Sequence, residues 1–257
     1  MPRLKMETYS VYKAKNPKFK EFDGLPKISF SAVGSWLTEG YRPEFIASKY
    51  LGIPSEGNVF TEFGSATGTL AEFKGDTEKM AAESEENQEL LGYLSEDDIK
   101  TIQSLEHQEH TEFEREIVLK RTCKYGDYVI QGFIDKAEEV DGVIDVIDYK
   151  TGSIEKKAGY YGDFEQYQQT NLYMHSLVTM EGLKPGYCGV KLLDRKGNSL
   201  SPDAPPNLRL RLTGKVEDIE TPYNPEAVEE WLKSVDKVAE DLCEFHKFMN
   251  KYFPIKK

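Results

Sequence analysis

GFIDKAEEVDGVIDVIDYKTG, residues 132–152, is the stretch that sets the fold. Asp141-Gly142 between Val140 and Val143 is the signature of a two-residue type I′ hairpin turn, because both central positions need a positive φ. With Val140 opposite Val143, the register follows by counting, and Asp135 falls opposite Asp148. Facing residues of an antiparallel ladder hold their Cβ atoms about 4.5–5.5 Å apart. Lys150, two residues further on, projects from the same face as Asp148. Two carboxylates so placed repel by roughly 3 kcal/mol at an effective dielectric of about 20. The pair therefore calls for a counter-charge: a shared proton, Lys150, or a divalent metal. Hard oxygen ligands suit Mg2+ or Mn2+. The same register sets Glu138 against Asp145, a second like-charge pair, which lies nearer the turn, where solvent would screen it. Spacing alone leaves open whether Asp135 and Asp148 form a metal site or are two solvated strand acids.

Outward from the hairpin, helical and extended patterns alternate. Residues 28–53 read as a serine-capped helix, a proline break and a second helix. Residues 59–75 alternate small and apolar positions, and Gly64, Gly68 and Glu72, four apart, share one face of a helix. Two glycines there cost about 1 kcal/mol each relative to alanine, which predicts a close-packing reason for them. Ser95 and Asp98 form a capping box for a helix through Ile99, Ile102 and Leu105. Residues 125–150 show the period-2 alternation of strands, 163–180 return to helical spacing, and 187–194 is a short apolar strand. Residues 197–223 read as loop plus one strand, LRLRL. Asn224 as N-cap and Pro225 at the first helical position open a long C-terminal helix with an apolar stripe from Val228 to Met249. The order predicts a mixed α/β or α+β domain, a central mixed sheet flanked by helices.

The 257 residues are 39% hydrophobic and 12% aromatic, which excludes a disordered chain and supports one substantial core. No apolar run approaches the ~20 residues of a membrane span, and the first thirty residues are too polar for a secretory signal, so a cytoplasmic protein is expected. Cys123, Cys188 and Cys243 are too far apart for a zinc ribbon, a disulfide framework or a cysteine-held iron–sulfur cluster. His107, His110, His175 and His246 match no ligand spacing and read as packing or solvated residues.

The net charge of −12 is concentrated: residues 76–116 hold 14 acidic and 3 basic side chains, whereas the first twenty hold six basic side chains against one acid. The first segment is expected to be an acidic, solvated helical insert, with docking of a partner as the alternative. The second, within a basic arm over residues 1–27, is either a solvated end or a phosphate-contacting arm. The expected organisation is one domain over 1–257 with these two embellishments.

Gly132-Phe-Ile-Asp135, twelve intervening residues and Asp148-Tyr-Lys150-Thr-Gly152 resemble the core of the PD-(D/E)XK nucleases, specifically the RecB-like exonuclease branch. Its pattern there is G-x-[IV]-D, a hairpin, then D-x-K-T-[GS]. The resemblance continues in order. Ser29-Phe-Ser31 is similar to the opening S-x-S segment. Gly68-Thr-Leu-Ala-Glu72 resembles the helix motif G-T-x-x-H, with the glutamate of the lambda-type exonucleases in place of the usual histidine. Gln169-Thr-Asn-Leu-Tyr173 resembles the QxxxY motif. The resemblance implies a restriction-endonuclease-like core and a DNA nuclease, most simply an exonuclease in recombination, repair or phage-type processing. One or two Mg2+ or Mn2+ ions would be held by Glu72, Asp135, Asp148 and the Tyr149 carbonyl, with Lys150 acting on the attacking water. Gln169 and Tyr173 would organise the site or touch DNA, and Tyr160, Tyr161 and Tyr167 could stack on bases. Partners would be DNA and a recombination or replication protein. The cysteines that hold an iron–sulfur cluster in some members are absent, and no GxxxxGK[ST] loop is present to drive unwinding. The competing readings are a non-cleaving binding module on the same fold, or an enzyme that cuts RNA or branched structures.

Overall fold

A computed structural model describes residues 21–37, 58–197 and 206–252. The first twenty residues, the proline break and second helix expected after residue 37, and His246 and Met249 in their side chains lie outside the described part. The chain divides into two compact units, one of 1–56, 117–132 and 226–257, the other of 57–116 and 133–225.

In the first unit, β1 (Glu21–Phe22) pairs antiparallel with β2 (Leu25–Ile28), inside the segment expected as a basic arm. α1 (Phe30–Leu37) follows, its first turn capped by Ser29, whose hydroxyl accepts from the Ala32 amide at 3.3 Å. The unit also holds most of β3 (Thr111–Cys123), the first half of β4 (Gly126–Val140), and nearly all of the long C-terminal helix. β2 runs parallel to β4, with Lys27 opposite Val129. Arg121 and Tyr128 both reach Asp236 of that helix, at 2.9 and 2.6 Å.

The second unit carries α2 (Val59–Glu72), then α3 (Thr77–Glu83), α4 (Glu85–Leu91) and α5 (Glu96–Gln103). The second half of β4 leads into β5 (Val143–Gly152), α6 (Ile154–Tyr161), α7 (Gln169–Glu181), β6 (Lys184–Gly197), α8 (Pro206–Arg209) and β7 (Leu210–Glu220). The final helix is α9 (Pro225–Tyr252). β4 is antiparallel to β5, β5 parallel to β6 through the α6–α7 crossover, and β6 antiparallel to β7, so the sheet is mixed as expected.

Asp141 at φ 52° and Gly142 at φ 75° form the expected turn, and the ladder pairs Val140 with Val143 through to Lys136 with Ile147. α2 packs its Phe63, Ala66 and Leu70 against Tyr149 of β5, Leu193 of β6 and Leu212 of β7. α7 packs on β5 and β6 and is buried over Thr170 to Leu177, where Asn171 donates to the Thr221 carbonyl at 3.1 Å.

Four sequence expectations change. The acidic insert is helical only to Gln103, because residues from Thr111 onward enter β3. Nor is it a free solvated appendage. Met80, Leu94, Ile102 and Leu105 join the α2 core, and Asp98, buried, accepts the Leu212 amide at 2.5 Å as well as completing the predicted capping box. The helix expected over 163–180 starts at Gln169, after a turn in which the Asp163 carbonyl takes the Gln166 and Tyr167 amides. The strand expected over 187–194 spans fourteen residues. Among the described residues, no helix is long and apolar enough to cross a membrane.

Candidate active site

The site forms where β4 and β5 part. The register puts Asp135 against Asp148, one step beyond the last ladder pair. There Asp135 Oδ2 accepts the Tyr149 amide at 2.8 Å, so a side chain takes the place of a main-chain acceptor while β5 continues to pair with β6. Asp148, 1% exposed, lies on the face of β5 turned toward α7, and Tyr149 on the face packed against α2. Lys150 forms an ion pair with Asp148 Oδ2.

Asp148 is held from a second side. The Tyr167 hydroxyl is 3.0 Å from its Oδ2 and 2.9 Å from Gln169 Oε1, and Gln169 Nε2 donates to the Tyr173 hydroxyl at 2.8 Å. The four-residue spacing of Gln169 and Tyr173 on α7 brings them onto one face, and the pair buttresses Tyr167 and thereby Asp148. Tyr167 is thus no stacking platform: it is 4% exposed and wedged edge-on against Tyr161, ring centroids 5.0 Å apart, with Tyr160 on the rim.

The electrostatics are those of crowded acids. Burial and the charge of Asp148 push the Asp135 pKa well above its ordinary value, with Lys150 opposing. Burial alone would lower the Lys150 pKa, but Asp148 and Asp135 outweigh it and hold the ammonium charged. Asp148 Oδ1 is buried with no hydrogen-bond donor, as is the Tyr149 hydroxyl. A buried carboxylate oxygen without a donor is costly, and a cation is the natural occupant of its free lone pairs.

Glu72 opens onto a pocket of about 530 Å3 that also touches Asp135, Tyr149, Lys150 and Thr151. Burial and Glu114 raise its pKa to about 7. Among the described residues, no three acidic, histidine or cysteine side chains converge tightly enough to enclose a metal ion. What the chain could offer a divalent ion is the Asp135 and Glu72 carboxylates on this pocket and, beside Asp135, the orphaned buried oxygen of Asp148. That donor set is all oxygen and fits Mg2+ or Mn2+.

Gly64 and Gly68 depart from expectation. A Cβ at Gly64 would sit 3.8 Å from Thr151 Oγ1, an ordinary contact, and one at Gly68 would meet nothing within 4 Å. They are not close-packing glycines; they keep the pocket floor low. Three contributors escaped the sequence reading. Glu114 adds to the charge that raises Glu72 and Asp135, from a backbone at φ 52° that nothing in its neighbours announces. Phe60 and Arg195 line the pocket far from any motif. His175 meets the Tyr223 hydroxyl at 2.9 Å and is a packing residue, as expected. Cys123, Cys188 and Cys243 are buried free thiols.

A family model of the PD-(D/E)XK nuclease superfamily matches residues 60–253. That match accords with the mixed sheet flanked by helices, the restriction-endonuclease-like arrangement. No curated protein matches the sequence. Among solved structures, SSO0001 is similar at 15% identity over 82% of each chain, with a TM-score of 0.31, too low to speak for a shared fold.

Proposed function

Because the chain belongs to the PD-(D/E)XK nuclease superfamily, we propose that it is a divalent-metal-dependent deoxyribonuclease. Within the superfamily we assign it to the RecB-like exonuclease branch, acting in recombination, repair or phage-type DNA processing. The observation that carries the reading is the Asp148 carboxylate, whose Oδ2 is fixed by Lys150 and Tyr167 while its buried Oδ1 is left without a donor. Asp135, Asp148, Glu72 and the Tyr149 carbonyl would hold Mg2+ or Mn2+, one ion or two. Such an ion, when bound, acidifies a coordinated water and offsets charge on the scissile phosphate.

The chain's own groups do the rest. Asp135 and Asp148 set two carboxylates side by side at the end of the β4–β5 ladder, and Tyr167, Gln169 and Tyr173 fix the orientation of Asp148. Lys150, kept cationic by both acids, orients the attacking water and faces the negative charge of the phosphate. The resemblance of residues 132–152 and 169–173 to the RecB-like motifs supports the branch, and Glu72 supports an all-oxygen ligand set.

The test uses the full chain with end-labelled single- and double-stranded DNA, linear and circular, and RNA of matching sequence, in Mg2+, Mn2+ or EDTA. Loss of linear DNA from its ends, with circles spared and EDTA abolishing it, is the expected result. EDTA-insensitive retardation without cleavage would make the protein a binding module. Cut circles, or RNA cut in preference, would move it to an endonuclease or a ribonuclease.

A further inference from the structure

We propose that Arg195 grips a phosphate of the bound strand adjacent to the one being cut, its guanidinium held in place by the ring of Phe60. The proposal rests on the nuclease reading above and adds to it the residue that would hold the substrate strand.

Arg195 lies on β6, two residues beyond Leu193, whose side chain packs into the α2 core. Between these two the ladder to β7 slips: Leu193 opposes Val216, but Arg195 opposes Leu212. The two extra residues fall on β7, around Gly214 at φ 81°. Irregularities of this kind re-aim side chains at the rim of a sheet. The side chain they deliver lines the same pocket as Glu72, Asp135 and Lys150.

Its surroundings leave its charge unanswered. The guanidinium carbon stands 4.6 Å from the centroid of Phe60, and one nitrogen reaches Thr151 Oγ1 at 3.4 Å. No carboxylate forms an ion pair with it among the described residues. The neighbouring acid is already engaged, Asp194 accepting the Ile154 amide at 3.2 Å and the Thr213 hydroxyl at 2.7 Å. Burial pulls the Arg195 pKa below its ordinary value. In the same unit, Arg115 is met by three acids, Glu112, Glu139 and Glu181. In a chain with 45 acidic side chains, a partly buried arginine without one is a site prepared for an external anion.

The shape of the pocket says which anion. From Thr61 to Glu72, α2 offers about 16 Å of helix as a floor. Its pocket-facing residues there are small: Thr61, Gly64, Ser65, Gly68 and Thr69. Glu72 stands at one end of this floor, Phe60 and Arg195 at the other. A strand backbone laid along it would present a phosphate to the carboxylates and a neighbouring one to Arg195. Arginine's planar fork matches a phosphate bidentately, and an aromatic plate fixes the plane of the fork without consuming its donors. Phe60, 36% exposed, has in this role a reason to stay on the surface.

The experiment measures DNA affinity by fluorescence anisotropy in Ca2+ across a salt series, and cleavage kinetics in Mn2+, for wild type, Arg195→Gln, Arg195→Lys and Phe60→Leu. Arg195→Gln should bind about tenfold to a hundredfold more weakly. Its log–log salt slope should fall by about 0.7 on single strands or about 0.9 on duplex. KM should rise while kcat stays within about threefold, the signature of lost uniform binding. Arg195→Lys should keep the slope and lose part of the affinity. Phe60→Leu should keep the slope and lose affinity by about threefold to tenfold. If wild type binds and cuts DNA but Arg195→Gln equals it in affinity and slope, the proposal is overturned and the nuclease reading stands. If wild type neither binds nor cuts, both fall. Circular dichroism and the thermal midpoint check folding. Should Arg195→Gln unfold, wild-type affinity in both Arg195→Lys and Phe60→Leu overturns the proposal.

Discussion

The hairpin carries two facing carboxylate pairs in one register, and the fold treats them in opposite ways. Glu138 faces Asp145 across the ladder and is buried, yet every demand is met. Lys136 lies 2.9 Å away, the Thr111 hydroxyl donates at 2.6 Å, and the Gln108 amide donates at 3.1 Å. Asp145 takes the Tyr187 amide at 2.6 Å. Burial would raise the Glu138 pKa, but these donors and Lys136 outweigh it and hold it below the ordinary value. Three residues along the same strand, Asp135 is pushed the other way, and its partner Asp148 keeps a buried oxygen with no donor. Charge type and register are shared, but Glu138 and Asp145 sit within the ladder and Asp135 and Asp148 just beyond its end, on the opposite face, so each pair meets different surroundings. The first is satisfied by the protein; the second keeps one buried oxygen unmet, as the proposed metal role requires. Local stability is given up where function needs it.

The widest expected separation comes from exchanging each acid for a neutral group. Asp148→Asn should lower kcat by a thousandfold or more, about 4 kcal/mol of barrier. Its thermal midpoint should not fall, since removing one charge relieves the repulsion on Asp135. Cleavage assays and calorimetry on the same preparation check both. A variant that cuts at a tenth of the wild-type rate would take Asp148 out of the central role, and a lowered midpoint would show that its charge is structural.

Glu138→Ala should do the reverse. It leaves the Lys136 ammonium, 4% exposed, without its acid, and breaking a buried pair costs about 3 kcal/mol. The folded fraction should cut DNA at the wild-type rate. Pairing it with Lys136→Met should restore much of the loss, because no charge is then left buried alone. Chemical denaturation of the two single variants and the double variant gives the coupling directly. A large drop in kcat with unchanged stability would mean that the two pairs are not divided as described.

Much of this contrast was legible in the sequence, and its limits have physical causes. The Asp141-Gly142 turn is local chemistry, so it fixed the register and set Asp135 against Asp148. The capping box at Ser95 and the N-terminus of α9 were legible for the same reason. Solvent screening of Glu138 was the wrong expectation, because its partners come from residues 108, 111 and 136, and only β3 and the tertiary fold bring the first two near. β3 itself was hidden by Glu112, Glu114 and Glu116, whose charge masked the alternation with Phe113, Arg115 and Ile117. Tyr167 was noticed as an aromatic but not as a hydrogen-bond donor, since its partner is nineteen residues away. Arg195 depends on a slip between β6 and β7 that no local pattern encodes.

A smaller effect belongs to the buttress. Tyr167→Phe keeps the ring against Tyr161 and removes only the hydroxyl shared between Asp148 and Gln169. A hydrogen bond to a charged group contributes about 1.5–3 kcal/mol, and with Lys150 still holding Asp148 the low end applies. The expected result is roughly a tenfold fall in kcat with KM unchanged, because Asp148 loses orientation and no substrate contact is touched. A raised KM with normal kcat would instead place Tyr167 at the substrate.

The smallest effect tests whether a satisfied carboxylate elsewhere behaves like Glu138. Asp236 accepts from Arg121 Nε and Nη2, each at 2.9 Å, and from the Tyr128 hydroxyl at 2.6 Å. Burial opposes its ionisation, but Arg121 and Tyr128 prevail and lower its pKa. A folded pKa below the unfolded one means that the acid contributes stability above its unfolded pKa of about 3.9. That contribution disappears as the pH falls through the lower, folded value. Asp236→Asn keeps the shape and one acceptor while removing the charge, so about 1 kcal/mol should be lost at pH 7. The difference between wild type and variant should then shrink as the pH falls below about 4. Denaturation curves from pH 7 to pH 2 read it, and cleavage at pH 7 by the folded variant should equal wild type. A difference that stays constant down to pH 2 would mean that the Asp236 charge does not stabilise the fold and that the loss comes from the altered hydrogen bonds alone.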